Sequence, residues 1–197
     1  MSIGHDWSPS LEEIAGQLQS RPDVLTVVGI SGYGGAGKST LAQQLGMRLA
    51  APVVSIDEFG TAAVFQRSTA WDGFDRARLV RQVLAPLRAG DRQVRYDRCD
   101  DWETWLTVST PISVDRFLVL EGVGAFHLDL LPYLDYRVWI DIPLTEATRR
   151  GIARAAVLGR AVHHLWEATW EPNERDFAAR FHPRAAADAI LRPVPRT

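Results

Sequence analysis

Apolar residues along this chain fall into two rhythms that take turns, and the alternation is the first clue to its fold. Short runs at 24–30, 53–56, 117–120 and 136–140 are apolar almost without a break, as strands covered on both faces are, and Ala189, Ile190 and Leu191 predict a last short strand. Between these runs the spacing shifts to three and four. Ser10 and Glu13 stand at the spacing of a capping box, with Leu11, Ile14, Ala15 and Leu18 behind them, so a helix is predicted before the first strand, ending at Arg21-Pro22-Asp23. Leu41, Ala42, Leu45 and Leu49 mark a second helix that stops before Pro52, and Leu79, Val80, Val83, Leu84 and Leu87 a third that ends near Gly90. Leu128, Leu130 and Leu131 predict a short helix, and two longer ones follow at about 143–158 and 163–180. The segment 58–75 keeps no long period and carries Gly60 and Gly73, which makes it a loop-rich cover over any site the strands form. Strands trading with helices predict an α/β fold of three layers, a mostly parallel sheet of about five strands with helices on both faces.

Composition narrows the picture by exclusion. The 197 residues suit one domain, since a core of this length buries roughly 70% of the unfolded surface. Hydrophobic residues make up 46% and charged residues 23%, and the net charge is −2, so a nucleic-acid partner is not expected. Cys99 is the only cysteine, which rules out an intrachain disulfide and makes a reducing cytoplasm the expected setting. No run approaches the ~18 apolar residues of a membrane span, so no membrane partner is expected and the protein should be soluble. The oligomeric state, a homo-oligomer included, is left open.

Chemistry enters at Gly32-Tyr33-Gly34-Gly35-Ala36-Gly37-Lys38-Ser39, which reads G-x-x-x-x-G-K-[ST] and follows directly on the apolar run 24–30. A buried strand brings the chain to the sheet edge, and the glycines let successive backbone N–H groups turn inward around a phosphate chain. Lys38 would reach the β and γ phosphates of a nucleoside triphosphate. Ser39 would offer its hydroxyl to Mg²⁺, and the helix that continues through Thr40 would aim the positive end of its dipole at the anion.

In a parallel sheet, ligands collect at the carboxyl ends of the strands. Asp57, Glu121 and Asp141 stand there. Phosphoryl transfer needs an acceptor for the proton of the attacking hydroxyl and a carboxylate for hydrated Mg²⁺, so Asp57 is the candidate base and Glu121 the candidate metal or substrate carboxylate. Asp141, a lone acid before Pro143, reads as a loop or capping residue and is left out of the site. Arg150 and Arg154 share one face of the helix that follows, among Arg149 and Arg160. They fit a lid that closes over the transferring phosphoryl group. A solvated face, with Glu146 and Arg150 paired four residues apart, is the plainer alternative.

These residues also carry a resemblance. Gly29-Ile30-Ser31-Gly32 through Thr40, Asp57-Glu58-Phe59, Trp71-Asp72-Gly73-Phe74-Asp75, Tyr96-Asp97, Glu121-Gly122-Val123 and the arginines from Arg149 to Arg160 resemble, in that order, the motifs of uridine kinases. These are nucleoside kinases of the P-loop kinase superfamily, related to phosphoribulokinase, and the likeness covers residues 24 to about 160. It implies a P-loop NTPase sandwich with a helical lid at about 145–165, within a single kinase domain spanning 1–197. An N-terminal helix would lie in 1–23, and acceptor-side segments at about 58–75 and 95–112. It implies ATP and Mg²⁺ as cofactors and a small-molecule acceptor, with a nucleoside favoured. Asp57 would take the proton of the sugar 5′-hydroxyl, Phe59, Asp72, Tyr96 and Glu121 would face the acceptor, and Arg150 and Arg154 would clamp phosphates. The chain departs from the pattern in two places. It reads Asp57-Glu58-Phe59 where the family has Asp-Phe-Tyr, and Arg98-Cys99-Asp100-Asp101-Trp102 where the family places a histidine that reads a pyrimidine. A kinase of a non-nucleoside alcohol and a nucleotide-binding switch without acceptor chemistry stay open as alternatives. The chain has no Asn-Lys-x-Asp guanine motif, which speaks against an ordinary GTPase.

Overall fold

The computed structural model describes residues 6–8 and 10–194. In chain order, β1 (Asp6–Ser8) leads into α1 (Leu11–Gln19), β2 (Thr26–Gly32), α2 (Lys38–Leu49) and β3 (Val53–Ser55). The helices α3 (Arg76–Leu79) and α4 (Ala85–Ala89) come next, followed by β4 (Gln93–Cys99), β5 (Thr107–Ser113), β6 (Phe117–Glu121) and β7 (Tyr136–Ile140). The chain ends with α5 (Leu144–Val157), α6 (His163–Leu165), α7 (Glu171–Phe181) and β8 (Ala189–Val194). The main sheet has the order β1-β8-β7-β2-β6-β3, and its neighbours are parallel except at the edge, where β1 runs against β8.

Side-chain alternation sorts the helices into two outer layers. Along β2, Val27 and Val28 point to opposite faces. Val28, Val119 and Val138 meet Leu11, Ile14 and Leu18 of α1 and Leu41 and Leu45 of α2. Val27, Leu118 and Leu120 meet Leu79, Val83, Leu87, Phe126 and Phe177 on the other side. All seven residues of β2 are buried, which is why its sequence shows no polar alternation. The expected α/β sandwich is therefore present, with five parallel strands.

Three elements differ from the sequence reading. Helix α1 has the predicted capping box, with Ser10 and Glu13 bonded reciprocally, but the helix expected to precede the first strand is itself preceded by β1, and residues 1–5 lie outside the described residues. The predicted helix around Leu128 to Leu131 is instead a set of turns and a 3-10 turn at Leu131–Tyr133, because Pro132 supplies no N–H there. Segment 95–112 belongs mostly to an antiparallel hairpin of β4 and β5, in register from Gln93 opposite Ser113 to Cys99 opposite Thr107.

Two helical runs contain a widened π turn, Val80–Leu84 and Trp166–Trp170. Each lies just before a proline, Pro86 or Pro172, that cannot donate to the carbonyl four residues back and whose ring crowds it. The second wide turn matters for the site, since it precedes the helix that covers the glycine-rich loop between β2 and α2.

Candidate active site

The parallel strands bring their last residues to one rim of the sheet, and polar groups gather there. After β2, a turn closes through the Ala36 N–H donating to the Tyr33 carbonyl (3.0 Å), and α2 starts at Lys38. Gly35 has φ 86°, and a Cβ there would collide with the Ala147 carbonyl oxygen, so glycine is what lets α5 press on the loop. Lys38 is buried and its Nζ donates to the Tyr33 carbonyl at 3.0 Å, which keeps the ammonium at the loop.

Glu121 ends β6, in register with Ile30 of β2 and Ser55 of β3, and is only 5% exposed. Its Oε1 accepts from Ser39 Oγ at 3.1 Å and Ser55 Oγ at 2.8 Å. Hydroxyl and carboxylate oxygens alone make up this cluster. Such a set fits Mg²⁺, a hard cation that takes one or two protein oxygens and completes its shell with water and phosphate.

Asp57 follows β3 because Ser55 Oγ accepts the Asp57 N–H (3.3 Å) and opens a 3-10 turn, Ile56–Phe59. Its side chain is exposed to solvent although protein atoms crowd around it. Desolvation and the like charge of Glu121 push its carboxyl up to about 6, against the pull of Lys38 and Arg154. Lys38, Glu121 and Asp57 thus feel one another's charge. Arg154 reaches this field from α5, and its side chain has no hydrogen-bond partner among the described residues. Arg150, one turn earlier, is held by Glu146 (Nε to Oε1, 2.7 Å), while its Nη1 is buried without a partner among the described residues.

The acceptor-side residues stand differently from what the resemblance implies. Phe59 is fully buried and stacks on Tyr96, with ring centroids 5.3 Å apart. Tyr96 is 2% exposed, and its hydroxyl donates to Glu58 Oε2 at 2.6 Å. Both rings are core residues in this state, because β4 lays its inward face on the hydrophobic layer under the 3-10 turn. Asp72 is exposed and committed to the Ser68 hydroxyl (2.7 Å) and to Arg76. Near Asp57 the aromatic surface comes from other residues. Trp102 donates from Nε1 to the Asp57 carbonyl (3.1 Å), stacks on Trp105, and meets the partly exposed Phe65.

The sequence reading missed Glu174. It is 3% exposed, and its Oε1 accepts the Gly34 N–H at 2.8 Å. Above it, Trp166 fills a slot between Gly34 and Gly151, where a Cβ on either glycine would strike its ring. A signal was present in the chain. Trp166, Trp170, Glu174, Phe177 and Phe181 continue one stripe at spacings of four and three, so an acid stands where an apolar residue would be expected.

Beside the loop, at the ends of β7 and β8, lies an open cleft of about 710 Å³ bounded by Tyr33, Trp139, Pro143, Arg184 and Arg192. Asp141 sits in its wall, paired with Arg184 (2.9 Å) and Arg192 (3.0 Å), which hold its carboxyl below the usual range.

No family model matches the sequence, and no curated protein does. Among solved structures, the chain is similar to a protein of Silicibacter sp. TM1040 provisionally described as a fructose transport system kinase. The identity is 21%, the TM-score 0.76, and 92% of this chain and 98% of that chain are covered. It is also similar to a protein of Bacillus stearothermophilus provisionally described as a uridine kinase, at 18% identity and TM-score 0.69, over 91% of this chain and 96% of that one. The fold is that of the P-loop kinases.

Proposed function

We propose that this chain, folded as the P-loop kinases are, is a single kinase domain that moves the terminal phosphoryl group of ATP to a hydroxyl of a small molecule. The observation that carries the reading is the convergence of Lys38, the Ser39–Glu121 pair and Asp57 at the ends of three neighbouring strands. Lys38 and the loop N–H groups bind the terminal phosphates and stabilise the charge that develops on them. Ser39 and Glu121 would hold Mg²⁺, which would supply positive charge to the phosphates when bound. Asp57 orients the acceptor hydroxyl and accepts its proton, a task suited to a carboxyl near 6, which is ionised at neutral pH yet basic enough to take the proton. Arg154 and Arg150 on α5 bring positive charge to the closed site. The cleft beside Tyr33 is the place for the nucleoside half of ATP.

A nucleoside is the favoured acceptor on the motif order. The burial of Phe59 and Tyr96 and the tryptophans near Asp57 support extending the acceptor class to other sugars and sugar-like alcohols. The test is Mg²⁺-dependent ATP consumption against a panel of nucleosides, ketoses and polyols, with Lys38→Ala as the blank. Turnover that needs an acceptor and vanishes in the blank supports the kinase. Tight ATP binding with no acceptor-dependent turnover across the panel would replace it with a nucleotide switch.

A further inference from the structure

Glu174 is a fully buried acid that the proposed transfer does not use, and it faces the groups that would receive the terminal phosphate. Its Oε1 holds the Gly34 N–H, and its Oε2 is buried with no hydrogen-bond partner among the described residues. The titratable groups that face it are Lys38 of α2, Tyr33 of the phosphate loop, Asp57 of the 3-10 turn and Glu171 one turn back on α7. From α5, the loop meets the Ala147 carbonyl and Gly151, neither of which carries charge, while Arg154 faces Asp57.

We propose that Glu174 is a proton-linked gate on nucleotide binding: its carboxylate occupies the Gly34 N–H and shares the field of Lys38, and the terminal phosphate settles there as Glu174 takes up a proton from solvent. This rests on the reading of the loop as a nucleotide site. An ionised Glu174 and a terminal phosphate would compete for one buried lysine, a like-charge conflict in a place with little water to screen it. The acid has no easy way to withdraw, because α7 is anchored to the segment below it. Trp170 Nε1 donates to the Val64 carbonyl (2.9 Å), Asn173 Nδ2 to the Gln66 carbonyl (2.9 Å), and Arg67 pairs with Asp176 (2.6 Å). Neutralisation is the cheaper response. A protonated Glu174 also gains an O–H donor that can turn toward a phosphate oxygen.

Burial already brings this carboxyl up to about 7, so the gate would operate near neutral pH. If the protonated form alone binds, apparent affinity scales with its fraction, and the wild type should bind Mg·ATP about tenfold more weakly at pH 8 than at pH 6. Glu174→Gln, a permanently neutral side chain of the same shape, should match the wild type at pH 6 and bind about tenfold more tightly than it at pH 8. The ratio of the two proteins at each pH cancels the titration of ATP itself. Calorimetry supplies a readout that needs no variant: at pH 8, the dependence of binding enthalpy on buffer ionisation should report uptake of nearly one proton per nucleotide. Glu174→Ala serves if the glutamine variant folds poorly, with the same expected pH 8 gain. Equal affinities for wild type and variant at both pH values, with no proton uptake, would overturn the gate and leave the nucleotide site standing. No ATP binding by either protein at either pH would overturn both.

Discussion

The turn between β2 and α2 closes on the Tyr33 carbonyl through residues three and five positions on, whereas the helices from 144 to 181, beside local pairs such as Arg150–Glu146, are fixed to the rest of the fold by residues far away. Lys38 bonds a carbonyl five residues before it, while Glu174 reaches back 140 residues to Gly34, and Trp170 back 106 residues to Val64. The loop is set by a contiguous motif and a buried strand. The cover is set by packing, with Trp166 wedged against two glycines and α7 pinned across the segment 61–72. A loop built this way survives changes elsewhere, but the cover depends on a handful of long-range contacts. The two halves should therefore fail differently when cut.

The sharpest cut on the loop side is Lys38→Ala. Turnover with the best acceptor should fall by about 10³-fold or more, since a positioned charge on the transferring group is lost. Thermal stability should change little, because the ammonium's hydrogen bond is to a single carbonyl of its own loop. Steady-state rates and a melting curve on the same sample check both halves of that statement. Trp166→Ala should do the reverse. Emptying a slot that holds a tryptophan 6% exposed should cost about 3 kcal/mol. Urea unfolding measures the loss, and hydrogen exchange should show the amides of α7 opening while those of β2 stay protected. A loss below about 0.5 kcal/mol, within the range of an ordinary surface change, would mean that the cover is not held by this wedge.

The same division decides what could be read from the sequence. The loop, α1 with its capping box, and the five parallel strands announce themselves through residues a few positions apart. β1 does not, because three residues become a strand only by pairing with 192–194. β5 is masked by Pro111 and by exposure on both faces, features that count against a strand when its partner is unknown. Glu121 could be named from its place after four apolar residues. Glu174 could have been named only by noticing an acid on the stripe from Trp166 to Phe181, since its partner is 140 residues away. Phe59 and Tyr96 run the other way. Their motifs suggest an open pocket, yet each satisfies its neighbour and the core instead.

Two acids, Asp57 after β3 beside the Lys38 loop and Glu174 on α7, allow the comparison to be drawn by pH. Asp57→Asn should lower turnover by on the order of 10²-fold while ATP still binds, and should remove the rise in rate through about pH 6 that an ionising base gives. Its measurement is a pH–rate profile under saturating acceptor. Glu174 should show itself in stability. Its carboxyl lies at about 7 in the fold, against an ordinary 4.5. The folded state therefore binds more protons than the unfolded chain between those values. The stability this supplies is complete below about 4.5 and is lost as pH rises through about 7. Glu174→Gln removes that loss and should be more stable than the wild type at pH 8, by roughly 1–3 kcal/mol, with the gap closing toward pH 5. Urea unfolding of both proteins at the two pH values isolates the effect of removing the Glu174 charge, since acids remote from it titrate alike in each. A gap of the same size at pH 5 would trace the gain to packing and detach Glu174 from the charge of the loop.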